Sequence, residues 1–187
     1  MLAPDPLYIS PADYLAAEEV SPIRHEYRDG EVFAMTGSTL NQNAIAGNLL
    51  VALRTQLRGS GCSVFLVGMK LRIEASNAFY YPDVVVTCDD RDRPNNEQYI
   101  SYPRLIIEVL SPSAARFDRT AKFADYRTIP SLTEYVLVST DCQAIELFQK
   151  SDRGEWQLAN PSDPMQLTSV NVSISIAEIY EDTDLVG

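Results

Sequence analysis

Two acidic side chains stand where acids are costly. The runs YYPDVVVTC (80–88) and PRLIIEVLS (103–111) are rich in Val, Ile and Leu, as strands buried on both faces are, and each carries one carboxylate, Asp83 and Glu108. Side chains alternate along a strand, so Glu108 shares its face with Ile106 and Leu110. An ionised carboxylate left there without a partner costs roughly several kcal/mol, and a metal ion, a cation or a bound proton is expected beside it. Two carboxylates, waters and a phosphate oxygen complete the octahedral shell of Mg²⁺ (or Mn²⁺), which polarises the phosphate and activates an attacking water. A lysine beside them would stabilise the charge that grows on the phosphorus oxygens. That is the chemistry of metal-dependent phosphodiester hydrolysis. The competing reading is structural: an arginine or backbone amides satisfy each acid.

Other chemistries are thin. His25 is the single histidine, so HExxH zinc sites and paired-histidine catalysis are excluded. No GxSxG, GxxxxGK[ST] or GxGxxG motif occurs. Cys62, Cys88 and Cys142 are odd in number and not in CxxC spacing, which predicts neither a disulfide framework nor a zinc ribbon and fits a reducing, cytoplasmic setting. No signal peptide is recognisable, and no run approaches the roughly 20 apolar residues of a membrane span.

The elements that must position the acids follow from local pattern. Ser10 caps a helix with Pro11 at its first position and Asp13 in its first turn. RHEYRDGEVFAM then reads as a hairpin about Asp29 and Gly30, with Glu31 starting the return strand. A helix runs from Asn41 to Arg58 with Ile45, Leu49, Leu53 and Leu57 on one stripe, stopped at Gly59. Cys62 to Ile73 reads as one strand, antiparallel to the Asp83 strand, and Thr87 to Ser101 as a solvated loop. Ser111, Pro112 and Ser113 break the Glu108 strand and cap a helix over 114–128, with Phe117, Ala121 and Ala124 as its apolar side and Asp118, Arg119, Lys122 and Asp125 as its polar side. EYVLVS (134–139) is a buried strand reached by this helical crossover; shorter strands and a helix capped by Ser175 follow.

At 187 residues and 45% hydrophobic, the chain suits a single domain over 1–187: a core about 41–140, an N-terminal helix and hairpin over 10–36, and C-terminal strands and a helix over 141–187. The net charge of −11 argues at first against a nucleic-acid partner. Residues 141–187 hold nine acids against two bases, so the region of the buried acids is nearly balanced, and Arg54 with Arg58 or Arg116 with Arg119 remain candidate DNA contacts.

The order of helix, PD strand, IIEVLSPS strand, DRTAKFADY helix and EYVLVS strand resembles the PD-(D/E)xK nuclease fold. More closely, from HEYRDGEV through YPDVVV and EVLSPS to AEIYE, the chain resembles the Uma2 (DUF820) family of restriction-type endonucleases, with EVLSPS followed by DRxxK its most specific part. The resemblance implies an α/β restriction-endonuclease-like core, a mixed central sheet flanked by helices with peripheral terminal strands. It implies Asp83 and Glu108 as ligands of Mg²⁺ (or Mn²⁺), and DNA as substrate. The motif's lysine follows its acid by two residues; here Leu110 takes that place, which nominates Lys122 on the next helix, with Lys70 as the alternative. Glu31 matches a family acid and is assigned an assisting role, and Asp118 is placed to orient Lys122 by an i,i+4 pair. Relatives often read NHN and DMK where this chain has Gln42 and Gly68 at the second and first positions. Three readings follow: an endonuclease, an enzyme of phosphodiester hydrolysis acting as a homodimer on two strands; a catalytically degenerate binding or assembly module; and a metal-free hydrolase using Asp83 and Glu108 as acid and base.

Overall fold

A computed structural model describes residues 8–66, 68–93, 98–111 and 115–185. Helix α1 (Pro11–Val20) is capped by Ser10, whose hydroxyl accepts from the Asp13 amide at 3.2 Å. The hairpin of β1 (His25–Arg28) and β2 (Glu31–Ala34) turns through Asp29 and Gly30, with φ of 46° and 94°. Positive φ at both turn residues gives the twist that flanking strands require. Helix α2 (Leu40–Gln56) follows, begun by a capping box between Thr39 and Gln42.

The expected single strand from Cys62 to Ile73 is two strands in two different sheets. β3 (Ser63–Leu66) pairs antiparallel with β6 (Val84–Thr87), whereas β4 (Lys70–Ile73) pairs antiparallel with β5 (Ala78–Tyr80). Gly68 lies between them at φ 123°, where a Cβ would come 3.1 Å from an Arg24 guanidinium nitrogen. Glycine is therefore the residue that lets the chain leave one sheet for the other. The segment expected as loop contains a short 3₁₀ turn (Asp90–Asp92) and β7 (Tyr99–Ile100), which pairs parallel with β4.

β8 (Pro103–Leu110) is the central strand. It runs antiparallel to β6 and parallel to β9 (Glu134–Ser139), and the connection to β9 carries one helical run. That run consists of α3 (Ala115–Phe117), a π-helical turn (Asp118–Lys122) and α4 (Phe123–Tyr126); Pro112, Ser113 and Ala114, read as its cap and start, lie outside the described residues. β10 (Ile145–Lys150) and β11 (Trp156–Ala159) extend this sheet, β12 (Met165–Leu167) and β13 (Val172–Ile174) form a separate ribbon, and α5 (Ile176–Ile179) closes the fold under a Ser175 cap. The strand orders are β2-β1-β5-β4-β7 and β11-β10-β9-β8-β6-β3.

β8 divides its side chains between two cores. Leu105, Ile107 and Val109 meet Ile45, Leu49 and Leu53 of α2. Ile106 and Leu110 face the other way, into a core shared with Leu71, Ile73 and Tyr80 of the second sheet and with Phe123 and Tyr126 of α4. Period-two alternation puts Glu108 on this second face, between the two sheets. A third, aromatic cluster seats α1 on the outer face of the second sheet, where Tyr14 lies 5.0 Å from Tyr27 and 5.3 Å from Phe79.

Two expectations need correction. The polar side assigned to the helix after β8 is largely buried: Asp118, Lys122 and Asp125 are enclosed with Phe123 and Tyr126, while Phe117 is exposed. The second sheet covers that face and supplies charged partners. Cys62 and Cys88 are joined by a disulfide, although no pairing was expected. They are remote in sequence, but the antiparallel register that sets Ser63 opposite Thr87 places them side by side at the ends of β3 and β6. The argument from unpaired cysteines to a reducing compartment therefore falls; Cys142 alone is free. No helix among the described residues is long and apolar enough to cross a membrane.

Candidate active site

The site forms where the chain changes sheets. β5 ends at Tyr80 and β6 begins at Val84, so Tyr81, Pro82 and Asp83 bridge the two sheets. Amides in such a bridge need partners outside a ladder. Tyr81 N–H donates to Glu26 Oε1 at 3.2 Å, and Asp83 N–H donates to Glu108 Oε2 at 3.3 Å. In return, Val109 N–H donates to Asp83 Oδ2 at 2.8 Å. The two acids singled out in the sequence are thus clasped together, Glu108 by the Asp83 amide and Asp83 by the amide of Val109 next to Glu108.

Lys122 reaches them from the helical run. Its Nζ lies 2.9 Å from Glu26 Oε1, 3.3 Å from Glu108 Oε1 and 3.4 Å from Asp118 Oδ1. The lysine sits at the end of the π-helical turn, a widening of the helix that recurs at functional positions. Within that turn Thr120 Oγ1 donates to the Arg116 carbonyl at 2.6 Å, drawing an acceptor away from the helical ladder. One turn on, Tyr126 OH donates to Glu108 Oε1 at 2.8 Å. Asp125 anchors the same helix to the hairpin, accepting from Tyr80 OH at 2.6 Å and pairing with Arg28 Nε at 3.0 Å.

Three carboxylates, Glu26, Glu108 and Asp118, therefore contact one ammonium, and Asp83 joins the cluster through its N–H to Glu108. Burial pushes the Glu108 carboxyl well above the usual range; Lys122 opposes this, and Asp118, Asp83 and Glu26 add to it. Burial likewise raises Asp83 to about 6, against the pull of the Val109 amide and Lys122. Burial alone would lower Lys122, but Glu108, Glu26 and Asp118 outweigh it and hold its pKa well above that of a free lysine. Asp118 Oδ1 is buried without a hydrogen bond, its approach to Lys122 being electrostatic only.

The donor set fits a divalent cation. Among the described residues no three His, Cys, Asp or Glu side chains form a ready-made cage. Mg²⁺ asks for less, since one or two carboxylates suffice when waters and substrate oxygens fill the remaining positions. Asp83 and Glu108 are hard oxygen donors, and both line a cavity of about 410 Å³ that also reaches Glu26, Asp118 and Lys122.

The other residues read from the sequence are placed as follows. Asp118 does lie against Lys122. Glu31 is exposed on β2 and stays with the hairpin surface, lining a hollow with Arg28 and Asn77, so the structure does not bring it to the carboxylates. Glu26 of the same hairpin stands there instead. Lys70 turns toward the α1 side of the second sheet, 5.7 Å from the Tyr81 ring centre, its pKa lowered by burial. Gln42 does line the cavity: its Nε2 donates to the Val109 carbonyl at 3.1 Å and its Oε1 accepts from the Thr39 amide at 3.1 Å. His25 is held by Glu18 at 3.0 Å, and Arg119 by Glu146 at 2.7 Å. Glu26 was legible in retrospect. In HEYR, alternation sets Glu26 and Arg28 on one face, and that pair complements Lys122 and Asp125 across the sheet-helix contact.

A glutamate on the central strand and an aspartate at the bridge into its neighbour, with a lysine brought beside the glutamate on a mixed sheet flanked by helices, fit an α/β protein of the nuclease fold. A crystal structure titled a "putative nuclease belonging to DUF820", from Anabaena variabilis, superposes with a TM-score of 0.74 at 16% identity, covering 92% of this chain and 97% of that one. The Uma2 family, described as "Putative restriction endonuclease", matches residues 11–177. The uncharacterized protein slr1290 of Synechocystis sp. is 39% identical over 174 residues, 92% of this chain and 91% of its own length. A second uncharacterized Synechocystis protein, sll1609, is 36% identical over 151 residues, 80% of this chain and 85% of its own. The chain belongs to the Uma2 family.

Proposed function

We propose that this protein is a divalent-metal-dependent endonuclease that hydrolyses phosphodiester bonds of DNA at the Asp83–Glu108–Lys122 cluster. The observation that carries the reading is the 3.3 Å approach of Lys122 Nζ to Glu108 Oε1. Leu110 occupies the strand position where the motif's lysine stands, and a helical lysine supplies the same charge at the same acid. Asp83 and Glu108 would hold Mg²⁺ or Mn²⁺, which when bound supplies Lewis-acid activation of the phosphate and of a water.

The chain's own residues do the rest. Lys122 holds a fixed positive charge within a buried site, where it counters charge growing on the phosphate oxygens more strongly than in water. Glu26 and Asp118 restrain that ammonium from either side, and Tyr126 fixes one oxygen of Glu108. Burial of Glu108, at 3% exposure, limits competing water. A homodimer would carry two such sites, and size-exclusion chromatography with light scattering tests that state.

The direct experiment is cleavage of plasmid and single-stranded DNA with Mg²⁺ or Mn²⁺. Wild type is expected to cut, and Asp83→Ala to lose activity by about a hundredfold or more. Cleavage unchanged by the substitution sinks the assignment. Calorimetry with Mn²⁺ separates a degenerate binding module from the enzyme: Asp83-dependent metal binding counts against the module.

A further inference from the structure

The cavity over the carboxylates has two features that metal-assisted hydrolysis does not use. Phe33 on β2 and Phe117 at the end of α3 both line it, and their side chains remain 48% and 36% exposed. Phe117 is steadied edge-on against buried Tyr80, with ring centres 6.0 Å apart. Two large rings left exposed at the wall of a cavity that also holds the carboxylates offer flat apolar faces to a ligand.

The second feature is charge. Among the described residues lining the cavity Lys122 is the only cation, and Glu26, Glu108 and Asp118 already engage it. A duplex gripped through its phosphates needs lysines and arginines free to displace counterions. This lining offers phosphate attraction only through the carboxylate-held metal. The cavity of about 410 Å³ lies toward the small end of ligand-sized clefts, roughly 300–1,000 Å³. With Glu108 buried beneath it, a scissile phosphate has to descend into the cavity on a strand free of its complement.

We propose that the cavity accepts single-stranded or locally unpaired nucleic acid, with Phe33 and Phe117 stacking on bases next to the phosphate presented to Asp83 and Glu108. The proposal rests on the nuclease reading and names its substrate form. Every base has a π face, so stacking of this kind tolerates sequence and replaces the missing phosphate clamp.

Fluorescence anisotropy tests it, using wild-type protein in Ca²⁺ with a labelled single-stranded oligonucleotide and with a blunt duplex of the same sequence. The single strand is expected to bind about tenfold or more tightly than the duplex, and Phe33→Ala and Phe117→Ala each to weaken it about five- to hundredfold. Phe33→Trp should restore binding. Phe33 lies on an exposed edge strand, so Phe33→Ala decides the matter even if Phe117→Ala, which loses its Tyr80 contact, melts early. Equal affinity for strand and duplex, or a Phe33→Ala variant that binds as wild type does, overturns the proposal. Cleavage assays keep the two readings apart. Asp83-dependent cutting of duplex and single strand at equal rates leaves the nuclease standing and removes the stacking preference. Ring-dependent strand binding without Asp83-dependent cutting does the reverse.

Discussion

Two buried glutamates on neighbouring parallel strands have opposite surroundings. Glu134 begins β9 and Glu108 sits inside β8; they are 1% and 3% exposed. Glu134 accepts from the Thr168 amide and hydroxyl at 3.0 and 2.9 Å, from the Ser169 amide at 3.1 Å and hydroxyl, and from Gln149 Nε2 at 2.8 Å. Neutral donors thus satisfy both of its oxygens and pin the turn before β13 to the main sheet. Glu108 receives one tyrosine hydroxyl, one long amide contact and a lysine shared with two other acids. Equal burial therefore does not mean equal purpose. A carboxylate surrounded by donors stabilises the fold as an anion, whereas one crowded by other carboxylates tends to hold a proton, whose place a bound cation can take.

Lys122→Ala should have the largest effect on stability. It leaves Glu26, Glu108 and Asp118 without their shared cation, and removing one partner of a buried ionic set costs about 3–5 kcal/mol. Chemical denaturation without metal checks this, and a loss under 1 kcal/mol, roughly the value of an exposed pair, would mean that the cluster is solvated.

Glu→Gln at the two glutamates sharpens the contrast. Glu134→Gln should destabilise the protein by about 2–3 kcal/mol, because a multiply donated charge becomes an amide with two donors of its own facing other donors. Glu108→Gln should leave the metal-free protein as stable or more so while abolishing cleavage. Melting curves beside cleavage assays measure both, and similar destabilisation by the two substitutions would erase the distinction.

A smaller effect is expected from pH. Burial raises Asp83 from 3.8 to about 6 in the folded chain and raises Glu108 in the same direction, so between those values the native state binds more protons than the unfolded one. Metal-free stability from these groups is complete below the unfolded value and falls as pH rises through about 6. Asp83→Asn should flatten that slope in thermal melts between pH 4 and 7, and Mn²⁺ affinity should increase over the same interval as protons leave. Smallest of all is Glu31→Gln, expected to shift stability by less than about 0.5 kcal/mol and to leave cleavage intact, in keeping with its exposed place on the hairpin.

Local pattern made much of the fold legible. Ser10 with Pro11, Asp29 with Gly30, the apolar stripe of α2 and the alternation of β8 each act within a few residues, and the elements form where they predict. The burial of Glu108 was readable for the same reason, whereas Lys122 was nominated by the family resemblance. What local pattern lacked was the second sheet. Gly68 reads as one more residue of a continuous strand until its positive φ parts β3 from β4. Asp118, Lys122 and Asp125 read as the polar side of a helix, and nothing local shows that β1 covers them with Glu26 and Arg28. Cys62 and Cys88 have no visible relation until β3 and β6 are in register.

The sequence by itself determined which residues are costly to bury and where the capped helices and the longer strands lie, since propensity, capping and alternation are short-range. Tertiary structure alone decided which acids gather around Lys122. Three carboxylates from β1, β8 and the π-helical turn meet there, with Asp83 beside them on the bridge before β6, because two sheets close on one helix, and no spacing along the chain encodes that closure.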